Sequence, residues 1–186
     1  MPSNNINIKS VAVIGAGVMG AQLAALFANK GIRSYLYDIT TDTSILGKDR
    51  LKIIKPPPLE QPEYIELIQA CGLDEDIHKI KKVDWIIEAV TEKIEIKVEV
   101  FKKVSPFIHE GAILSSNTSG ITLNGLIKNL PENLKSRFLI THFFNPPRYM
   151  KLLEIVKNEQ TSLEIYNSLT SFCSSILDKG LVPAKD

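Results

Sequence analysis

The feature that most constrains this chain is the run Gly15-Ala16-Gly17-Val18-Met19-Gly20, set between a short apolar segment and a helical pattern. The segment before it, Ser10-Val11-Ala12-Val13-Ile14, reads as a buried strand. After it, Met19, Leu23, Leu26 and Phe27 recur at helical spacing from Val18 to Lys30, and Gly31 is a natural stop. Ile32 to Tyr37 forms a second strand pattern, closed by Asp38. Together these make one parallel βαβ crossover of about 30 residues. In the GxGxxG spacing, the first glycine allows a tight turn and the second lets backbone approach a pyrophosphate. The third lets helix pack closely on strand. A helix N-terminus adds free N–H groups and partial positive charge, both suited to phosphate.

An acidic residue at the end of the second strand completes the dinucleotide fingerprint. Asp38 would accept hydrogen bonds from a ribose and repel a 2′-phosphate. It is followed by Ile39-Thr40 and no arginine, so the pattern implies NAD and not NADP. Gly15, Gly17, Val18, Met19, Gly20 and Asp38 are the expected cofactor residues. An incidental glycine-rich turn is the competing reading.

Beyond Asp38 the segment Ile39 to Val83 is the least readable. Pro56-Pro57-Pro58 and Pro62 forbid a continuous helix and suggest a rigid extended connector. Tyr64, Ile65, Ile68 and Cys71 then predict a short helix ended by Gly72. Strands are expected at Asp84–Glu88, Ala112–Ser115 and Phe138–His142, with further apolar runs at Leu152–Val156 and Leu181-Val182. Helices are expected from Ile94 to Ile108, Leu123 to Leu130 and Ser162 to Asp178, the last capped by Gly180. Continuous apolar strands alternating with amphipathic helices predict an α/β fold. Its expected form is a Rossmann-type, doubly wound, mostly parallel sheet with helices on both faces.

A formal net charge of +1 excludes a broad basic field for nucleic acid or an anionic membrane. A polyanionic ligand must therefore be held by local geometry. Cys71 and Cys173 form no CxxC pair and have no histidine at ligand spacing, so no metal site is expected. They read as reduced, packed thiols of an intracellular protein. Met1 to Asn7 is polar, without the pattern of a secretory or mitochondrial signal, and no apolar run approaches the ~20 residues that span a bilayer. A cytoplasmic setting is expected.

Three polar groups stand out at strand ends. His142 and Asn145 in Thr141-His142-Phe143-Phe144-Asn145-Pro146-Pro147 follow an apolar strand, whose C-terminal end would border the ligand crevice. A lone histidine there is more often a satisfied core residue than a catalytic one. Glu154 lies inside Leu152-Leu153-Glu154-Ile155-Val156, where an unpaired carboxylate is costly. It either pairs with a histidine from a neighbouring strand or points outward to a lysine. Ser115-Ser116-Asn117-Thr118-Ser119 is either a plain loop or a wall of the same crevice.

With these residues assembled, the chain resembles the NAD-binding domain of the L-3-hydroxyacyl-CoA dehydrogenases, from Ile8 to Asp186. The resemblance is carried by GAGVMG (Gly15 to Gly20), the segment Ile86 to Lys97, and SSNTSG (Ser115 to Gly120). It is also carried by THFFNPP (Thr141 to Pro147), MKLLEIV (Met150 to Val156) and the closing Ala184-Lys185-Asp186. The wording is most similar to the bacterial branch joined to further domains, often an enoyl-CoA hydratase. The resemblance implies oxidation of an L-3-hydroxyacyl-CoA to the 3-oxoacyl-CoA in fatty-acid β-oxidation. It implies His142 as acid/base, Glu154 as its orienting partner and Ser119 beside substrate and nicotinamide. Ala89, Val90, Glu92, Lys97, Asn117, Ser119 and Asn145 are implied on the NAD side.

The Asp38–Asp84 stretch departs from the stand-alone enzymes in being shorter and richer in proline, so CoA contacts do not transfer, although Lys52 and Lys55 are candidates. The family pattern continues beyond Asp186 into an all-helical domain that completes the substrate cleft and forms a homodimer. Residues 1–186 are thus expected to be the Rossmann domain alone. Two other readings remain open on the residues: a non-catalytic NAD(H)-binding module, and a Rossmann dehydrogenase for a small hydroxy acid. The second lacks the HFFNP and MKLLE pair.

Overall fold

The structure, a computed structural model, describes residues 7–184 and 186. The polar N-terminal stretch before Asn7 and Lys185 lie outside the described residues. Strand β1 (Ser10–Ile14) leads through the glycine turn into α1 (Val18–Ala28) and β2 (Arg33–Asp38). Residues Gly20 to Ala28 of α1 are all buried, so the helix is apolar all round and is held by packing. Gly31, at φ +72, ends it in the left-handed conformation that glycine adopts at little cost.

The next segment departs from expectation. Thr41–Arg50 is a helix, α2, that no apolar periodicity announced; only Ser44 and Gly47 are buried along it. Its start is built from capping chemistry instead. The Thr40 side chain accepts from the Thr43 amide, Asp42 lies in the first turn, and Lys48 and Arg50 lie in the last. The short helix expected at Tyr64–Cys71 is a 3₁₀ turn over Pro62–Leu67 followed by strand β3 (Ile68–Gly72). Tyr64, Ile65, Ile68 and Cys71 are spaced for a helix. Pairing of Ile68–Gly72 along β2 nevertheless overrides that local preference.

The remaining strands fall where expected, but the helix from Ile94 stops at Val104, that from Leu123 stops at Ile127, and a short helix at Glu132–Lys135 is added. These elements are β4 (Trp85–Glu88), α3 (Ile94–Val104), β5 (Ile113–Ser116) and two short helices, α4 (Leu123–Ile127) and α5 (Glu132–Lys135). Strands β6 (Phe138–Phe143) and β7 (Leu152–Val156), helix α6 (Leu163–Ser175) and β8 (Gly180–Ala184) follow. Helix α6 stops short of the expected Asp178. That residue makes the turn at φ +55, and Gly180 starts β8 and does not cap the helix.

The eight strands form one sheet in the order β3-β2-β1-β4-β5-β6-β7-β8, parallel except for the antiparallel pair β6–β7. Helices α1 and α6 pack on one face; α3, α4 and α5 pack on the other. Trp85 anchors the first core, edge-on to Phe27 at 5.3 Å and to Phe172 at 6.2 Å between ring centroids. Such aromatic pairs contribute about 0.5–1.5 kcal/mol each beyond burial. Its indole N–H donates to Ser115 Oγ (2.9 Å), which lies 2.8 Å from Thr141 Oγ1, so a buried polar thread links β4, β5 and β6. Strand order reverses between β1 and β4, and the crevice beyond the strands' C-terminal ends is the ligand position of such sheets. Among the described residues, no helix is long and apolar enough to cross a membrane.

Candidate active site

The glycine turn sits at the end of β1. Gly15, at φ +109, occupies space in which a Cβ would lie 2.6 Å from the Ala89 carbonyl oxygen. A side chain at Gly20 would meet Gly15 O at 1.8 Å, so helix and turn can touch only through glycine. Gly17 faces open space, with nothing within 4 Å of where a Cβ would stand. It is also the N-cap of α1, without any side-chain cap or first-turn acid, and Val18 behind it is exposed. Amide donors and a positive helix end are therefore presented outward, uncovered by side chain, as a pyrophosphate requires.

Asp38 stands at the end of β2, where one carboxylate oxygen accepts the Ala16 amide (2.7 Å) and the other that of Ile39 (2.8 Å). The carboxylate therefore fixes the turn, and each oxygen retains a lone pair for a further donor. Gly47 of α2 packs on the same turn: a Cβ there would lie 2.4 Å from Ala16 O. This residue carried no signal in the sequence, since its role depends on a helix that the pattern hid.

On the other side of the crevice, His142 and Glu154 are direct cross-strand partners in the antiparallel β6–β7 pair. His142 Nδ1 lies 2.9 Å from Glu154 Oε2. With Nδ1–H donated to the carboxylate, Nε2 is left as the proton acceptor, and the anion stabilises the imidazolium that forms. Both side chains are partly exposed and line one cavity with Thr118, Ser119, Ile140 and Val156. Among the described residues, Glu154 pairs with His142 and with no lysine.

The loop after β5 is tied to this pair. The Asn117 side-chain oxygen accepts the amide of Phe143, the neighbour of His142. Glu92 holds the next three residues, accepting the Thr118 hydroxyl and the amides of Ser119 (3.0 Å) and Gly120 (2.9 Å). Burial opposes ionisation of Glu92. The Thr118 hydroxyl, the Gly120 and Ser119 amides and Lys97 nonetheless outweigh it and hold its carboxyl at about 2.

Lys97 is almost wholly buried. Its ammonium donates to Glu88 Oε1 (2.8 Å) and Val90 O (3.3 Å) and lies 3.3 Å from Glu92 Oε2. Glu88, absent from the sequence-based candidates, is the hub: it also accepts the Val90 amide and the Ser116 hydroxyl. Burial pushes the Glu88 carboxyl up, against Lys97, which favours its ionised form. Ala89 and Val90 thus stand between the glycine turn and this cluster. Asn145 lies across from α1, where its oxygen accepts from Gln22 Nε2 (3.0 Å), and Gln22 too was not foreseen. Met19, in the first turn of α1, packs partly buried against the core of that face. Both thiols, Cys71 and Cys173, are free and buried.

Fold and site together define a dinucleotide-binding Rossmann domain with a paired imidazole and carboxylate on its far strands. A family model described as 3-hydroxyacyl-CoA dehydrogenase, NAD binding domain, matches residues 10–186. The chain belongs to this family of oxidoreductase domains, whose cofactor is NAD. It is 42% identical to a putative fatty acid oxidation complex trifunctional enzyme of Rickettsia felis, over 96% of this chain and 26% of that one. A probable 3-hydroxyacyl-CoA dehydrogenase of Deinococcus radiodurans is 39% identical, over 97% of this chain and 54% of the other. The chain therefore spans about a quarter to about half of these relatives. Among solved structures, a 3-hydroxyacyl-CoA dehydrogenase from Archaeoglobus fulgidus superposes with a TM-score of 0.79 at 30% identity, covering 96% of this chain and 57% of that one.

Proposed function

We propose that this chain is the cofactor-binding and acid/base half of an NAD-dependent L-3-hydroxyacyl-CoA dehydrogenase, acting in fatty-acid β-oxidation in the cytoplasm. The observation that carries the reading is the His142–Glu154 pair at 2.9 Å, on the cavity shared with Ser119. NAD, when bound, supplies a hydride acceptor at its nicotinamide. The protein's own residues do the rest. The uncovered amides of the α1 N-terminus and the Gly17 opening would hold the pyrophosphate, and Asp38 the adenosine ribose. Nε2 of His142 takes the 3-hydroxyl proton as the C3–H bond releases its hydride, and Glu154 holds the imidazolium. The Ser119 hydroxyl donates to the reacting oxygen, from a loop that Glu92 and Asn117 keep in place.

The relatives are longer, and some are named as trifunctional enzymes. We therefore read residues 1–186 as one Rossmann domain. The acyl-CoA face, dimer contacts and a fused enoyl-CoA hydratase activity belong in this reading to neighbouring chain of the kind the relatives carry. The test is NADH titration of the chain together with acetoacetyl-CoA reduction by a protein extended to the length of the Deinococcus relative. In that protein His142→Gln is expected to lower turnover by about 10²–10⁴-fold with NADH affinity unchanged. Glu154→Gln should also lower turnover and shift its pH profile. NADH binding with no reduction of any 3-oxoacyl-CoA would overturn the dehydrogenase reading in favour of a binding module.

A further inference from the structure

The turn between α6 and β8 carries a lysine that makes no ion pair among the described residues. Lys179 is 5% exposed, and its ammonium donates to the backbone carbonyls of Pro147 and Met150, the latter at 2.7 Å. The carboxylate of its chain neighbour Asp178 is engaged by Lys151. A buried cation satisfied only by carbonyl oxygens is costly, so its retention needs a reason in what those carbonyls belong to. They belong to the loop from Asn145 to Met150, which begins two residues after β6 ends at Phe143, beside His142.

That loop is fastened at three corners. Within it, the amides of Tyr149 and Met150 both bond Pro146 O, at 3.0 and 2.9 Å. Arg148 reaches the carbonyls of Pro57 and Leu59, and the Tyr149 hydroxyl reaches Pro57 O, tying the loop to the proline connector. The connector is itself tied to the end of α1, where Asn29 donates to Pro58 O and accepts from the Glu60 amide. At the front, Asn145 meets Gln22 of α1, one turn behind the glycine motif. Lys179, just before β8, is the third corner.

We propose that Lys179 is a positioning residue that pins the Asn145–Met150 loop, and through Asn145 sets the wall of the crevice opposite the glycine turn. The inference rests, for its cofactor consequence, on the NAD reading above; the pinning itself does not. Burial is the largest influence on the ammonium and pulls it down to about 8, with Lys151 and Lys30 in the same direction and Asp178 and Cys173 opposing. The group thus holds its post at a cost, as expected of a side chain kept for geometry.

The test pairs amide hydrogen exchange with NADH affinity in wild type, Lys179→Met and Lys179→Arg. Losing two charge-assisted hydrogen bonds should speed exchange at Tyr149 and Met150 by on the order of tenfold or more, with α1 unchanged. NADH affinity should fall by about tenfold. Lys179→Arg, which keeps the charge and two donors, should restore both. Unchanged loop exchange in folded Lys179→Met overturns the proposal, and so does faster exchange spread evenly over the domain. If Lys179→Met does not fold, Lys179→Gln takes its place under the same criteria. If wild type fails to bind NADH, the cofactor reading falls while loop exchange still decides the pinning.

Discussion

Gly17 and Gly20 stand in one motif but for different reasons. A methyl at position 20 would sit 1.8 Å from Gly15 O, inside the turn itself, whereas one at position 17 would meet nothing within 4 Å. Gly20→Ala is therefore expected to destabilise the fold by about 1–3 kcal/mol or more, since helix and turn must separate to admit it. Gly17→Ala should leave Tm close to wild type yet weaken NADH, because the methyl projects into the approach to the α1 amides. Thermal unfolding beside NADH titration separates the two. Equal losses of stability would show that Gly17 is needed by the fold and not by the ligand. Asp38 illustrates the same division within one side chain, its oxygens bracing the turn while, in the proposed reading, they also hold the ribose.

At the scale of elements, β4 and α3 are joined by a buried ion pair, and its geometry sets a clear expectation. Lys97 and Glu88 are both nearly inaccessible and 2.8 Å apart. Lys97→Met strands a carboxylate that burial already pushes toward its neutral form, and is expected to cost about 3–5 kcal/mol by urea denaturation. Adding Glu88→Gln should recover part of that loss, since the amide oxygen can still accept the Val90 amide. A Lys97→Met protein within about 1 kcal/mol of wild type would refute the pair's structural weight. Elements of this kind also show what a sequence reveals. Strands β1, β4, β5 and β6 were readable because strands buried on both faces are continuous apolar runs. Helix α2 was not, because it buries a serine and a glycine and no apolar stripe. Strand β3 carried helical spacing that only its pairing with β2 overrules. His142 and Glu154 were visible as polar residues inside apolar strands. Glu88, Gln22, Gly47 and Lys179 were not, because each is defined by a partner that the folded chain alone brings near.

For the molecule as a whole, net charge near zero leaves the pH response of stability to a few buried groups. In the alkaline range they pull in opposite directions. The unfolded chain keeps the Lys179 proton to about its ordinary 10.5, while the folded protein releases it near about 8. Between those values the unfolded state binds more protons, so this group's contribution rises with pH and is lost as pH falls through about 8. Burial pushes the Cys71 thiol up to about 11 from 9.0 and raises Cys173 further. Their contributions are full below about pH 9 and decline above it as the unfolded chain ionises first. Stability should therefore climb from pH 8 and turn over past pH 9. Lys179→Met removes the climbing component alone. Wild type should gain on that variant with a slope of up to about 1.4 kcal/mol per pH unit between pH 8 and 10. Urea denaturation of both proteins at pH 7, 8, 9 and 10 measures it. Parallel curves would mean that Lys179 keeps its proton in the fold throughout, so that the carbonyls of Pro147 and Met150 hold it more tightly than burial loosens it.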